Sequence, residues 1–397
     1  MIALESVEGG RAVRRALAEH PIQGPVWLCA IGKAAESMTL GAVEALGDAC
    51  VGGLLITKPG HTDPRRLRGT GLETLIGGHP VPDAGSLAAG ARLLTAIERA
   101  PAEATLLFLV SGGASSLAEV PIAGLGLAEL QRMNRWLLGS GLPIQAMNLI
   151  RKSVSRIKAG GLLSVLAERP VRLLAISDVP GDAVGVIGSG LLVAEPDLAE
   201  RVGRLDLPDW LADWTRRGLA ERGTGSGRGP VTELVATLAM AQSAVAAAAG
   251  SLGQPVWRHA DLIQGDAADA GRRLARALLD GEPGLHIWGG ETTVRLPKSP
   301  GRGGRNQHLA LAAAIELAGH ENVLLMSVGT DGTDGPTEDA GALVDGHSLE
   351  RAELASLDAL DGLARADAGR LLEASGDLIR TGPTGTNVMD LILGLKC

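Results

Sequence analysis

The chain has 397 residues, enough for two ordinary domains that each bury a core of their own. A formal net charge of -8, with arginines scattered rather than massed, leaves no basic footprint and excludes nucleic acid as a partner. Cys29, Cys50 and Cys397 are too few and too far apart for a disulfide framework and form no CxxC pair, which favours a reducing compartment. The N-terminus lacks the basic and apolar regions of a signal peptide, and no run of about 18 apolar residues occurs. A cytoplasmic protein with no membrane partner is therefore expected. Glycine, at 56 residues, is about twice its usual share, while tyrosine is absent and Phe108 is the one phenylalanine; loops of close backbone approach are expected rather than aromatic pockets.

Short apolar runs rich in β-formers alternate with alanine-rich segments of helical period, the signature of parallel βαβ units, so the fold class is α/β. Residues 26 to 31 read as a strand and 33 to 47 as the helix after it. The junction, AIGKAAESM, puts Lys33 in a first helical turn, where a cation opposes the helix dipole unless an anion sits beside it. Lys33 is thus a phosphate candidate, with a solvated surface lysine as the plain alternative. After a strand at 51 to 57, GGHPVPD offers His79 and Asp83 as polar site residues beside two prolines, and a helix follows near 84 to 99. The strand at 105 to 110 runs into Ser111-Gly112-Gly113-Ala114-Ser115-Ser116. Consecutive glycines there let backbone NH groups converge on a phosphate or carboxylate, with serine hydroxyls as extra donors; a tight strand-to-helix turn is the alternative. The loop has neither the GKS/T of a Walker loop nor dinucleotide-fingerprint spacing. Helices near 127 to 139 and 143 to 158 lead to a strand at 171 to 176 that ends in Ser177-Asp178. A carboxylate in that place can hold Mg2+ or accept a hydroxyl proton, although caps and Asx-turns use the same residues.

The alternation breaks between about 206 and 235, where GTGSGRGP (223 to 230) is incompatible with a helix. Domains of 1–235 and 236–397 are expected, the last residues being free to pack back on the first. Helices at 231 to 250 and 265 to 280, the strand GLHIWGGETTV, a helix at 304 to 317 and a strand into VGTDGTDGPTEDAG (328 to 341) make a second α/β unit. Arg302 and Arg305, with free NH groups at a helix start, form a forked anion receptor in which Arg305 is favoured. Asn306 is either a site residue or a helix cap. The acids of the 328 to 341 loop miss EF-hand spacing. Asp331 and Asp334 are read as assisting Mg-nucleotide or substrate, Glu338 and Asp339 as solvated or capping.

In series, IGKAAESM, GGHPVPDAGS, FLVSGGASSL, MNLIRKSVSRIKAGGL, ISDVPGD, GGETTV, GRGGRNQHLAL, SVGTDGTDGPTEDAGA and TGPTGTNVMDL resemble the glycerate 2-kinase family, whose C-terminal part is the MOFRL domain. The resemblance implies a larger Rossmann-like N-terminal domain with a mainly parallel sheet, a smaller α/β MOFRL-type domain, and an active site in the cleft between them. It implies ATP-dependent phosphorylation of D-glycerate to 2-phosphoglycerate with Mg2+ or another divalent cation, D-glycerate and ATP being the partners; a homodimer is compatible with it. Lys33 of GKAA and Arg305 of GGRNQ match the family's active-site lysine and arginine and would stabilise the transferred phosphoryl group. Ser111, Gly112, Gly113, Ala114 and Ser115, with His79 and Asn306, would bind substrate or phosphate. Asp178 would orient or deprotonate the 2-hydroxyl, and Asp178 and Asp334 are the metal candidates. Two rivals stay open: an NAD-dependent hydroxypyruvate or tartronate reductase, which lacks its GxGxxG here, and a non-enzymatic small-anion-binding protein.

Overall fold

The computed structural model describes residues 1–166, 168–222 and 229–397, so most of the GTGSGRGP stretch lies outside the described residues. By internal contact the chain divides into Gly9–Val235 and a second unit that joins Met1–Glu8 to Ala236–Cys397.

The first unit is built on strands β1 (Val26–Ile31), β2 (Cys50–Thr57), β3 (Glu73–Ile76), β4 (Thr105–Val110), β5 (Val171–Ile176) and β6 (Thr232–Ala236), in the order β3-β2-β1-β4-β5-β6. The pairings β3-β2, β2-β1, β1-β4 and β4-β5 are parallel. Strands buried on both faces read as continuous apolar runs, which is why VWLCAI and TLLFLV were legible. Their side chains, Phe108 among them, form one core with the helix Ala84–Arg99. Asp83 starts that helix: its carboxylate accepts from Ser86 N at 2.9 Å while the Ser86 hydroxyl accepts from Asp83 N at 3.1 Å, a closed capping box. Asp83 is therefore occupied as a cap.

The second unit carries β7 (Val256–Arg258), β8 (Ile263–Asp266), β9 (Gly284–Thr293), β10 (Val323–Gly329), β11 (Gly341–Asp345), β12 (Leu378–Ile379) and β13 (Asp390–Lys396). Their order is β12-β11-β10-β13-β9-β7, with β8 also on β9, and the sheet is mixed. The helix Arg305–Leu317 is buried on nearly every side against the sheet and the helix Ala267–Asp280, so its apolar residues are not confined to one stripe.

Three readings change. The helix expected at 231 to 250 opens instead as strand β6, and the helix itself, Leu238–Ser251, begins after Thr237, whose hydroxyl accepts from Met240 N. The broken stretch holds a helix, Asp209–Glu221. The last residues form β13, hydrogen-bonded between β10 and β9.

Candidate functional site

In the first unit the strand order reverses between β1 and β4. Chain leaving the carboxyl ends of two such neighbours diverges to opposite faces and opens a crevice, the usual ligand position in open α/β sheets. Lys33 follows β1 and Ser111 follows β4, so the two Gly-rich loops flank that point. They are tied to each other. Lys33 N donates to Gly112 O at 2.9 Å and Ala34 N donates to Ser111 Oγ at 3.1 Å. Gly32, at φ +138°, is required there, because a Cβ would stand 2.1 Å from Ser111 Oγ. A Cβ on Gly113, at φ +84°, would meet His79 Cδ2 at 3.0 Å and Lys33 Cγ at 3.3 Å. The Lys33 stem, the Gly113 backbone and the His79 ring are thus brought together, as residues 80 apart in sequence could not announce.

The serines divide by role. The Ser111 hydroxyl is fully buried and fastens the two loops by accepting from Ala34 N. Ser115 Oγ lies 2.7 Å from Ser189 Oγ, and Ala114 starts a buried helical turn, Ala114–Leu117. His79, Gly113, Ser115, Asp178 and Ser189 line one cavity of about 200 Å³. Asp178 stands just past the carboxyl end of β5. On the same wall Lys158 forms a buried ion pair with Glu119, whose other oxygen takes the Ser155 hydroxyl at 2.5 Å. Ser189 and this pair were missed by sequence reading, since no local pattern marks them.

The second unit's polar cluster gathers where β9 ends, β10 ends and β13 begins, Asp390 standing opposite both Gly290 and Gly329. Arg305 opens the buried helix, and Asp390 holds it two-pronged: Nε donates to Oδ2 at 2.6 Å and Nη2 to Oδ1 at 2.9 Å. Arg305 Nη1 reaches Glu291 at 2.9 Å. Asp390 is 1% exposed, and burial pushes its carboxyl upward against the opposite pull of Arg305. No local pattern in TGTNVMDL singles this partner out, because its acid looks like the plain start of a strand.

Asp334 has a different task from the one expected. Gly304 has no side chain with which to cap the helix, and Asp334 packs against it to accept Asn306 N at 3.0 Å and Gln307 N at 2.8 Å. Both oxygens are engaged and the group is 2% exposed, so it serves the helix start rather than presenting itself as a metal ligand. Burial pushes its pKa up to about 6 although the two NH groups pull it down. The Asn306 amide bridges inward, accepting from Ser327 Oγ at 2.6 Å. Arg302 turns away from Arg305 and joins Asp339 and Glu373, and Arg380 shares Asp339. The anticipated Arg302–Arg305 fork does not form, and Asp339 is buried rather than solvated. Asp331 closes an Asx-turn on Thr333, 3.1 Å to the backbone N.

Among the described residues, no group of three His, Cys, Asp or Glu side chains is placed to hold a metal ion. A Mg2+ that arrives on nucleotide phosphates needs only one or two protein carboxylates, a demand that Asp178 on the cavity wall fits better than Asp334. Also among the described residues, no helix is long and apolar enough to cross a membrane.

Residues 1–205 match the family model for a domain of unknown function, DUF4147, and residues 284–390 match the MOFRL family. The D-glycerate 2-kinase of Thermotoga maritima is 36% identical, over 99% of this chain and 95% of its own. An Agrobacterium vitis protein that carries a hydroxypyruvate reductase name is also 36% identical, over 91% of this chain and 96% of its own. The crystal structure of a Thermotoga maritima glycerate kinase superposes with a TM-score of 0.88 at 34% identity, covering 100% of this chain and 97% of that one.

Proposed function

The chain belongs to the glycerate 2-kinase family, and from that premise we propose that it transfers the γ-phosphoryl group of ATP to the 2-hydroxyl of D-glycerate, giving 2-phosphoglycerate and ADP. The observation that supports this best is the convergence of Lys33, Gly113 and His79 beside the β1–β4 switch point. Phosphoryl transfer asks for charge neutralisation and in-line positioning more than for covalent help, and two NH-rich loops around a lysine supply that need.

In the proposed reaction the substrate's 2-oxygen forms its bond to the γ-phosphorus as the bond to the β–γ bridging oxygen breaks and ADP leaves. Asp178 accepts the hydroxyl proton, Lys33 and the Gly112-Gly113 backbone face the charge of the phosphoryl group, and His79 hydrogen-bonds the substrate. Arg305 is assigned a phosphate contact of its own, its guanidinium plane set by Asp390. Mg2+ brought in with the nucleotide would supply neutralisation of its phosphate charge, and Asp178 is the residue that would hold it. A cytoplasmic setting belongs to the same proposal, all three cysteines being free thiols.

The reductase name among the relatives makes the test two-sided. The purified chain is assayed for D-glycerate-dependent ADP release and, separately, for hydroxypyruvate-dependent NADH oxidation. ADP release without NADH oxidation is expected; the reverse would replace the kinase reading with the reductase one.

A further inference from the structure

The cavity beside Ser115 and Asp178 has a second end, formed by the helices Leu127–Gly139 and Ile144–Ser153. Arg151 lies there, half-buried, and differs from the other half-buried arginines of this unit. Arg172 is paired with Glu233, and Arg222 is wrapped by the carbonyls of Lys152, Ser155, Lys158 and Ala159. Arg151 has no carboxylate partner among the described residues. Its Nε donates to Asn134 Oδ1 at 3.1 Å and Nη1 to Asn148 Oδ1 at 3.2 Å. Asn134 is itself fixed, since its Nδ2 donates to Leu130 O at 3.0 Å and so turns the amide oxygen toward the arginine. Two neutral amides thus orient a guanidinium without neutralising it, and both Nη2 protons stay available. Burial with no counter-charge pushes the guanidinium pKa down, which measures how unfavourable the group is until an anion arrives. Glu119 on the same wall cannot serve, being held by Lys158 and Ser155.

We propose that Arg151, oriented by Asn134 and Asn148, receives the carboxylate of the substrate, so that this cavity selects a small 2-hydroxy carboxylate by its acid end. The carboxylate sits on the guanidinium fork, the 2-hydroxyl faces Asp178, and the Gly112-Gly113 loop is left for phosphate rather than carboxylate. The identity of the acid as glycerate rests on the kinase reading; the carboxylate receptor does not.

Calorimetry of the full chain without nucleotide separates the two, with D-glycerate and its neutral isostere glyceramide as probes and Arg151→Gln and Arg151→Lys as variants. The Gln variant is expected to lose about 100-fold in D-glycerate affinity through loss of a charge-assisted pair, with glyceramide affinity unchanged. The Lys variant, which keeps the charge without the fork, falls between. A folded Gln variant that binds D-glycerate within about twofold of the parent overturns the proposal whatever the kinase assay gives. Binding that Arg151→Gln abolishes in a chain that releases no ADP upholds the receptor and removes the kinase reading alone. Should neither variant fold, phenylglyoxal labelling of the parent chain decides by peptide mass: D-glycerate slows modification of Arg151 and glyceramide does not, whereas equal labelling overturns the proposal.

Discussion

Lys33 is useful because its neighbours leave it little freedom: its backbone N is tied to Gly112, its carbonyl lies 3.1 Å from His61 Nδ1, and its stem lies against the Gly113 backbone. Lys33→Ala and Arg305→Ala, both still folded, are each expected to lose at least about 100-fold in kcat, the usual cost of removing one donor to a developing charge. Near-normal turnover in both variants would remove these residues from the chemistry. Asp390→Asn should repeat much of the Arg305→Ala loss, since it breaks the two-pronged hold; a kcat within about twofold of the parent would mean that the hold is not needed. Asp334 makes a separate prediction from its pKa, raised from 3.8 to about 6. A carboxyl whose folded pKa exceeds its unfolded value binds its proton more tightly when folded. Its linked stabilisation is therefore fully present below the unfolded pKa and is lost as pH rises through the folded one. Urea midpoints of the parent should fall relative to Asp334→Asn between roughly pH 4 and pH 6, and a flat difference across that window would contradict a buried, lifted carboxyl. Lys33 was legible because a cation near a helix start goes against a local rule, although the helix itself is Ala35–Leu46 and Lys33 lies in the turn before it rather than in its first turn. Asp390 and Arg151 broke none, and their importance depends on partners that sequence spacing cannot bring together.

At the scale of elements, the β1 and β4 loops act as one piece, and Gly113 is the position where that can be tested. A methyl there meets the left-handed backbone, costing about 1–2 kcal/mol, and presses on His79 and Lys33. Gly113→Ala should lower kcat by more than about tenfold with only a few degrees lost in Tm. Thr237→Ala, which removes the cap of the helix Leu238–Ser251, should cost a similar ~1 kcal/mol and leave kcat within about twofold. Parallel loss of activity in the two would reduce the Gly113 effect to general destabilisation. The elements legible in the sequence, such as β1, β4, β5 and the helices Ala84–Arg99 and Leu127–Gly139, are long enough to show a continuous apolar run or a helical period. Those it missed are short or carry little apolar pattern: β3 has four residues, β7 three and β12 two. Thr232–Ala236 contains good helix formers and runs straight into a true helix, so its local pattern reads as helix; pairing with β5, a nonlocal event, makes it β6.

For the whole molecule, alternation of strand and helix was enough to read the α/β class, whereas the strand order was not legible, because order is a matter of which distant strands pair. That order matters most for function, since it puts the Lys33 loop beside the Ser111 loop at the reversal between β1 and β4. It also explains why many weak motifs together were more informative than any one: IGKAAESM, FLVSGGASSL, ISDVPGD and SVGTDGTDGPTEDAGA run from the ends of β1, β4, β5 and β10 into loops, and a kinase reading needs several of them at once. The product that the assembled chain makes is therefore the most direct test. D-glycerate, ATP and Mg2+ are incubated with it and the product is identified by 31P and 13C NMR. Phosphate on the 2-oxygen is the predicted result; phosphate on the 3-oxygen, or none, would contradict the account.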